Sequence, residues 1–206
     1  MAEPRRLAAA IIASAVVTVP LVLALTDVHL TGVPAGLVIS TAAAALAISA
    51  LVLQPLLAGL GRIAWHRVLG LVTLGLVLVH IGGLATVSVE DTLFAMSPDG
   101  PTRARMALFA TVALVVVVIL GGGRARLPLS TGTWRILHGY FAAVVILLGF
   151  GHAVLTDGAL DGAGTPLLYG LGAAALAGVA AGYAARRRLR FGQREDRVDL
   201  DVRAER

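Results

Sequence analysis

The sequence predicts an all-α integral membrane protein, a bundle of six helices that cross the bilayer. Three observations carry this expectation. The 206 residues are 58% hydrophobic and only 14% charged, whereas a soluble domain of this size carries more charge and shorter apolar runs. Apolar stretches of about 20 residues recur along the chain, which is the length that spans the hydrocarbon core. The basic residues, all 17 of them arginine, gather at the ends of those stretches, as the flanks of membrane spans do. That placement also argues against nucleic acid as a partner, despite the net positive charge. The bilayer itself is the expected surrounding.

Taken in order, the chain begins with a short basic head, MAEPRR, and a first span over 7–26 that contains Pro20. Its apolar core is longer than the 7–15 residues of a signal peptide and no small-residue cleavage site follows, so an uncleaved span is expected. The loop 27–32 holds His29. A second span over 33–60 is rich in alanine and other small residues, the composition of packed membrane helices. A turn at 61–64 leads to the third span, 65–87 (WHRVLGLVTLGLVLVHIGGLATV). The loop 88–102 is acidic and is the longest connection. The fourth span, 103–121, is followed by an arginine-bearing turn and by the fifth span, 134–156 (WRILHGYFAAVVILLGFGHAVLT). The sixth span covers 165–185 and ends at Arg186, Arg187 and Arg188. A charged tail over 189–206 shows no periodicity and is expected to be a solvated end outside the 1–188 domain.

The arginines orient the bundle. With the N-terminus inside, Arg5, Arg6, Arg62, Arg67, Arg124, Arg126, Arg135 and all the tail arginines lie on the cytoplasmic side, leaving only Arg103 and Arg105 outside. The positive-inside rule therefore predicts a multi-pass protein of the cytoplasmic (inner) membrane with both termini cytoplasmic.

The histidines carry the chemistry. His66 and His80 lie fourteen residues apart on the third span, and His138 and His152 fourteen apart on the fifth. Fourteen steps of roughly 100° fall about 40° short of four turns and rise about 21 Å, so both rings leave one helix face near opposite sides of the membrane. Spans three and five are separated by one span and run parallel. Neighbouring in a bundle, they would bring His66 to His138 near the inner face and His80 to His152 near the outer face. A b-type heme takes two axial imidazoles and needs small residues beside it; Gly70, Gly75, Gly82 and Gly83 accompany one helix, and Gly139, Ala142, Gly149 and Gly151 the other.

Ionisable groups inside a membrane are costly and mark function, and the repeated interval on alternate spans points to two hemes rather than to packing. The absence of cysteine excludes disulfides, thiolate zinc sites, iron–sulfur clusters and c-type heme attachment. A carboxylate-bridged metal pair is excluded as well, because no Asp or Glu falls within a span. His29 has no partner at the interval and reads as a surface histidine. Trp65 and Trp134 open the two histidine helices where tryptophan anchors a span. Arg62, Arg67 and Arg135 are placed for the propionates of an inner heme, Arg103 and Arg105 for an outer one. Phe141 and Val145 fall between the levels, and Glu90, Asp91, Asp99, Asp157 and Asp161 make the outer loops acidic.

The segments WHRVLGLVTLGLVLVH and WRILHGYFAAVVILLGFGH, with paired histidines on the third and fifth of six spans, resemble the ferric reductase-like transmembrane domain. That family is shared by ferric-chelate reductases, NADPH oxidases and the membrane subunit of the bacterial periplasmic methionine-sulfoxide reductase system. The resemblance covers roughly residues 5–188. It implies two b-type hemes, one on His66 and His138 and one on His80 and His152, with electrons passing outward from the cytoplasmic side. Ferric reductases and NADPH oxidases continue into flavin- and nicotinamide-binding domains. This sequence has no G-x-G-x-x-G fingerprint in a strand–turn–helix setting, so no flavin or NAD(P)H site is expected in this chain. A separate cytoplasmic flavoprotein or quinol is the expected donor, and an acceptor on the outer side the expected sink. In length the chain is closer to the methionine-sulfoxide reductase subunit. A transporter or assembly factor whose histidines are structural is the alternative from a different class.

Overall fold

The computed structural model describes residues 3–156, 158 and 160–204, with side chains over 7–184 apart from 157 and 159. Asp157, the side chains of Arg5 and Arg6, and those of the arginines from Arg186 onward lie outside the described residues. Among the described residues every regular element is helical: α1 Glu3–Thr26, a single 3-10 turn Val28–Leu30, α2 Ala35–Gly59, α3 Ile63–Val87, α4 Val89–Ala95, α5 Thr102–Gly122, α6 Thr131–Val154 and α7 Gly164–Ala204. Six of the seven α-helices carry apolar stretches long enough to cross a membrane, and these lie within about three residues of the predicted spans. The protein is an all-helical, multi-pass membrane bundle.

Two local differences from the sequence reading have simple causes. The loop 88–102 contains the short helix α4, capped by Ser88, whose hydroxyl accepts from the Asp91 N–H at 3.1 Å. A serine cap followed by Glu90 and Asp91 in the first turn is a helix-start signature. The helix of the sixth span does not stop at 185 but continues to Ala204; most of RRRLRFGQREDRVDLDVRA is arginine, leucine, glutamine, glutamate and alanine, which favour helix.

Helix α2 is the hub. It packs on α1, α3 and α7 and buries a row of small residues, including Ser40, Ala43, Ala47, Ser49 and Ala50. Small side chains let backbones approach, which is how membrane helices associate where lipid removes the hydrophobic drive. Around it, α3 meets α5, α5 meets α6, α6 meets α7, and α7 returns to α2. Helices α3 and α6 thus stand across the ring from each other and scarcely approach backbone to backbone.

The turn between α2 and α3 fixes their register. Gly61 adopts φ +70°, its N–H bonds the Ala58 carbonyl at 3.2 Å, and the Arg62 N–H bonds the Leu57 carbonyl at 2.9 Å. This paired closure needs a left-handed residue, which glycine supplies without strain. It folds α3 back along α2, so that Gln54 meets His66 and Ser40 meets His80. At the far end Gly83 lies so close to α2 that a Cβ there would come within 2.7 Å of the Gly36 carbonyl oxygen and 2.9 Å of Ser40 Cβ.

Candidate functional site

The rings of His66 and His138 face each other with centroids 6.1 Å apart, and those of His80 and His152 with centroids 6.3 Å apart. The structure therefore brings together all four histidines singled out by spacing, and pairs them as the spacing predicts. Because the pairs join α3 and α6 at matching positions, the two helices run parallel, with the levels about 21 Å apart along the axis. A metal takes an imidazole nitrogen at about 2 Å, and the ring centre lies about 1.2 Å behind it, so two rings sharing one ion sit roughly 6.4 Å apart. Both pairs meet that distance.

Hydrogen bonds set the tautomers. Ser40 Oγ donates to the His80 carbonyl at 2.9 Å, so towards His80 Nδ1, at 2.8 Å, it can only accept. The Ser40 carbonyl, 3.1 Å from the same nitrogen, is an acceptor too. Nδ1 of His80 must carry the proton, which makes Nε2 the basic nitrogen. His152 repeats the device: Thr156 Oγ1 donates to the His152 carbonyl at 2.7 Å and stands 3.4 Å from Nδ1, while the Arg103 carbonyl accepts from Nδ1 at 3.0 Å. His66 Nδ1 stands 3.1 Å from the Gln54 main-chain carbonyl and also meets the Gln54 side-chain amide, whose NH2 is oriented to donate to it. A ring that donates through Nδ1 and offers Nε2 is the arrangement found in metal-ligating histidine. His138 is held differently, by the indole of Trp134 stacked on it at 5.1 Å and 20°.

Ser40 and Gln54 were not singled out by the sequence, yet they sit fourteen residues apart on α2, mirroring His80 and His66 on the antiparallel α3. The interval of the ligand helices thus recurs on the helix that orients one of them.

The His66–His138 level opens into a cavity of ≈1490 Å³, lined also by Arg67, Arg124, Arg135 and Tyr183. Of the three arginines expected for inner propionates, Arg67 and Arg135 line the cavity; Arg62 is not among the lining residues and sits at the start of α3. Tyr183 of α7 donates to the Arg135 carbonyl and lies over Gly139, where a Cβ would collide with its ring. Between the levels, Val145 packs with Ala113, Leu114, Leu51 and Phe141, and Thr73, fully buried, satisfies its hydroxyl on the Leu69 carbonyl at 2.7 Å. The layer is largely apolar, and Leu51, Thr73, Leu114 and Val145 also line the cavity, which reaches down to it.

At the other end Arg105 reaches the Pro98 carbonyl (3.5 Å) and Thr102 Oγ1 (3.1 Å), and Arg103 contributes its main-chain carbonyl to His152. His29 pairs with Asp27 at 2.6 Å. The His29 backbone N–H, and then its ring, hold the exposed Asp27 carboxyl below its usual range; the pair caps a turn. Among the described residues no three His, Asp or Glu side chains converge. Each level offers a facing pair of imidazoles, which suits an ion whose remaining ligands come from a macrocycle.

Six apolar helices with facing imidazole pairs at two levels define a class, the multi-pass membrane proteins that carry paired histidines in the bundle core. The chain belongs to the ferric reductase like transmembrane component family, which it matches over residues 14–149, more than half its length. Domains of this family generally bind heme, and membership supports a role in membrane electron transfer. No curated protein and no solved structure matches the chain. His66, His80 and His138 fall within the matched segment, and His152 lies three residues beyond it, so its place in the site rests on geometry alone.

Proposed function

We propose that this protein is a di-heme b-type cytochrome that relays electrons across the cytoplasmic membrane, from a flavoprotein or quinol on the cytoplasmic side to an acceptor outside. The observation that carries this reading is the pair of imidazole pairs, each at ligand-sharing separation. His66 and His138 would hold one heme, His80 and His152 the other. Heme iron supplies one-electron redox chemistry when bound there. The chain's own residues hold and orient: Ser40, Arg103 and Thr156 fix the rings of His80 and His152 in the ligating tautomer, and Gln54 meets the ring of His66. Arg67 and Arg135 offer guanidinium groups to carboxylates in the cavity, and the side chains around Val145 give it an apolar floor towards the second level. The arginine bias of the sequence supports placing the His66–His138 level and both termini on the cytoplasmic side.

The test is the heme content of the detergent-purified protein, with a reduced-minus-oxidised spectrum. Two b-type hemes per chain, both low-spin, are expected. Colourless protein from heme-replete cells would contradict the reading and favour a non-redox membrane protein.

A further inference from the structure

Trp65 and Trp134 occupy similar places in the sequence, each opening a histidine helix, but the structure separates them. Trp65 is 65% exposed on the outside of the bundle, where an indole anchors a span at the membrane surface. Trp134 stands four residues before His138, on the same helix face, and its indole is stacked on the imidazole. The stack continues. Arg124 lies over the Trp134 ring at 5.4 Å, and its guanidinium is held in turn by the Leu129 carbonyl (3.3 Å) and Thr131 Oγ1 (2.9 Å). The indole N–H donates to the Leu120 carbonyl at 2.7 Å, at the end of α5. The indole is thus engaged by α5 through its N–H, by the connection between α5 and α6 through Arg124, and by His138 on its own helix.

We infer that Trp134, clamped by Arg124, is a positioning residue that fixes the ring plane of His138 and brings a cation to that level of the site. The inference rests on the heme reading above and goes beyond it. At His80 and His152 a carbonyl takes the Nδ1 proton, and an imidazole so bonded becomes more basic and favours the oxidised metal. His138 carries an indole stacked on its ring face. A guanidinium in the same stack favours the state of lower positive charge, the reduced one. The two levels should therefore differ in potential for a reason located in the 120–134 connection.

The experiment compares Trp134→Leu, Trp134→Phe and Arg124→Gln with Trp65→Phe in the purified full-length protein. The readouts are heme content, electron paramagnetic resonance of the oxidised protein and redox titration. The low-spin signal of a bis-imidazole iron depends on the angle between the ring planes, 64° for His66 and His138. Trp134→Leu is expected to shift one of two low-spin signals and lower one of two midpoint potentials. Trp134→Phe, which keeps an aromatic face, should restore the signal. Arg124→Gln should lower that same potential while leaving the other heme unchanged, and Trp65→Phe should move neither.

Unchanged signals and potentials in Trp134→Leu at full heme content would overturn the inference, as would an unchanged potential in Arg124→Gln if the leucine variant does not fold. A heme-free measurement separates this from the reading it rests on. In apoprotein carrying Trp65→Phe, His138→Ala should alter Trp134 fluorescence, and no alteration would remove the stack. Wild-type protein without heme would contradict the cytochrome reading, and the fluorescence would still decide the contact.

Discussion

At the His80–His152 level each ring is bracketed by a hydroxyl and a main-chain carbonyl, Ser40 supplying both for one and Thr156 with Arg103 for the other. At the His66–His138 level one ring meets a carbonyl and the other an indole, beside a wide cavity with three arginines on its wall. The helices impose the same spacing on both levels; their neighbours do not impose the same environment. Helix geometry explains where the imidazoles stand, while α2, α5 and the connections supply the groups that surround each level. Two sites made by one repeat can thus be tuned apart without moving a ligand.

Removing a ligand should break the comparison most completely. His80→Ala is expected to cost one heme of two and leave the spectrum of the His66–His138 heme, and His66→Ala the converse, as read by heme stoichiometry and redox titration. Loss of both hemes from either single change would show that the levels do not form independently.

Packing comes next. Gly83→Ala drives a methyl against the Gly36 backbone and Ser40, which α2 can relieve only by moving, at a cost of about 1–3 kcal/mol. Thermal unfolding in detergent should occur at lower temperature, with heme lost first from the His80 level. Gly75→Ala, with nothing within 4 Å of its added methyl, should do neither.

Ser40→Ala keeps the main-chain acceptor but removes the hydroxyl beside His80 Nδ1. Loss of such a partner typically weakens metal binding about 10–100-fold, and the retained carbonyl places the expectation near the lower figure, measurable as heme release to an acceptor protein. Gln54→Ala keeps the main-chain carbonyl near His66 but removes the amide that meets its Nδ1, and should speed heme release from that level by no more than Ser40→Ala does at the other. The smallest effect belongs to His29→Ala, which opens only the Asp27 turn and should leave heme content and both spectra unchanged.

Much of this was legible in the sequence because helices obey fixed numbers. Apolar length located the spans, and a fourteen-residue interval on two parallel helices was enough to pair His66 with His138 and His80 with His152. What escaped was carried by groups without a residue signature. The carbonyls of Ser40, Gln54 and Arg103 exist at every position, and only the fold chooses which ones meet an imidazole. Trp134 was ambiguous for another reason: a tryptophan at a span boundary serves as an anchor by default, and its four-residue offset from His138 gains meaning only once the indole is seen to face inward. Helix α4 was hidden in an acidic run, although Ser88 followed by Glu90 and Asp91 is a start signal. Arg62 failed for the opposite reason, since the Gly61 turn spends it at the start of α3 instead of on the cavity wall.

The central claim is the pairing, and two double variants test it directly. His80→Ala combined with His152→Ala removes one level and should leave one heme per chain. His80→Ala combined with His138→Ala takes one ligand from each level and should leave none. Heme-to-protein ratios of one and zero are the result the pairing requires. Equal ratios in the two variants would contradict it.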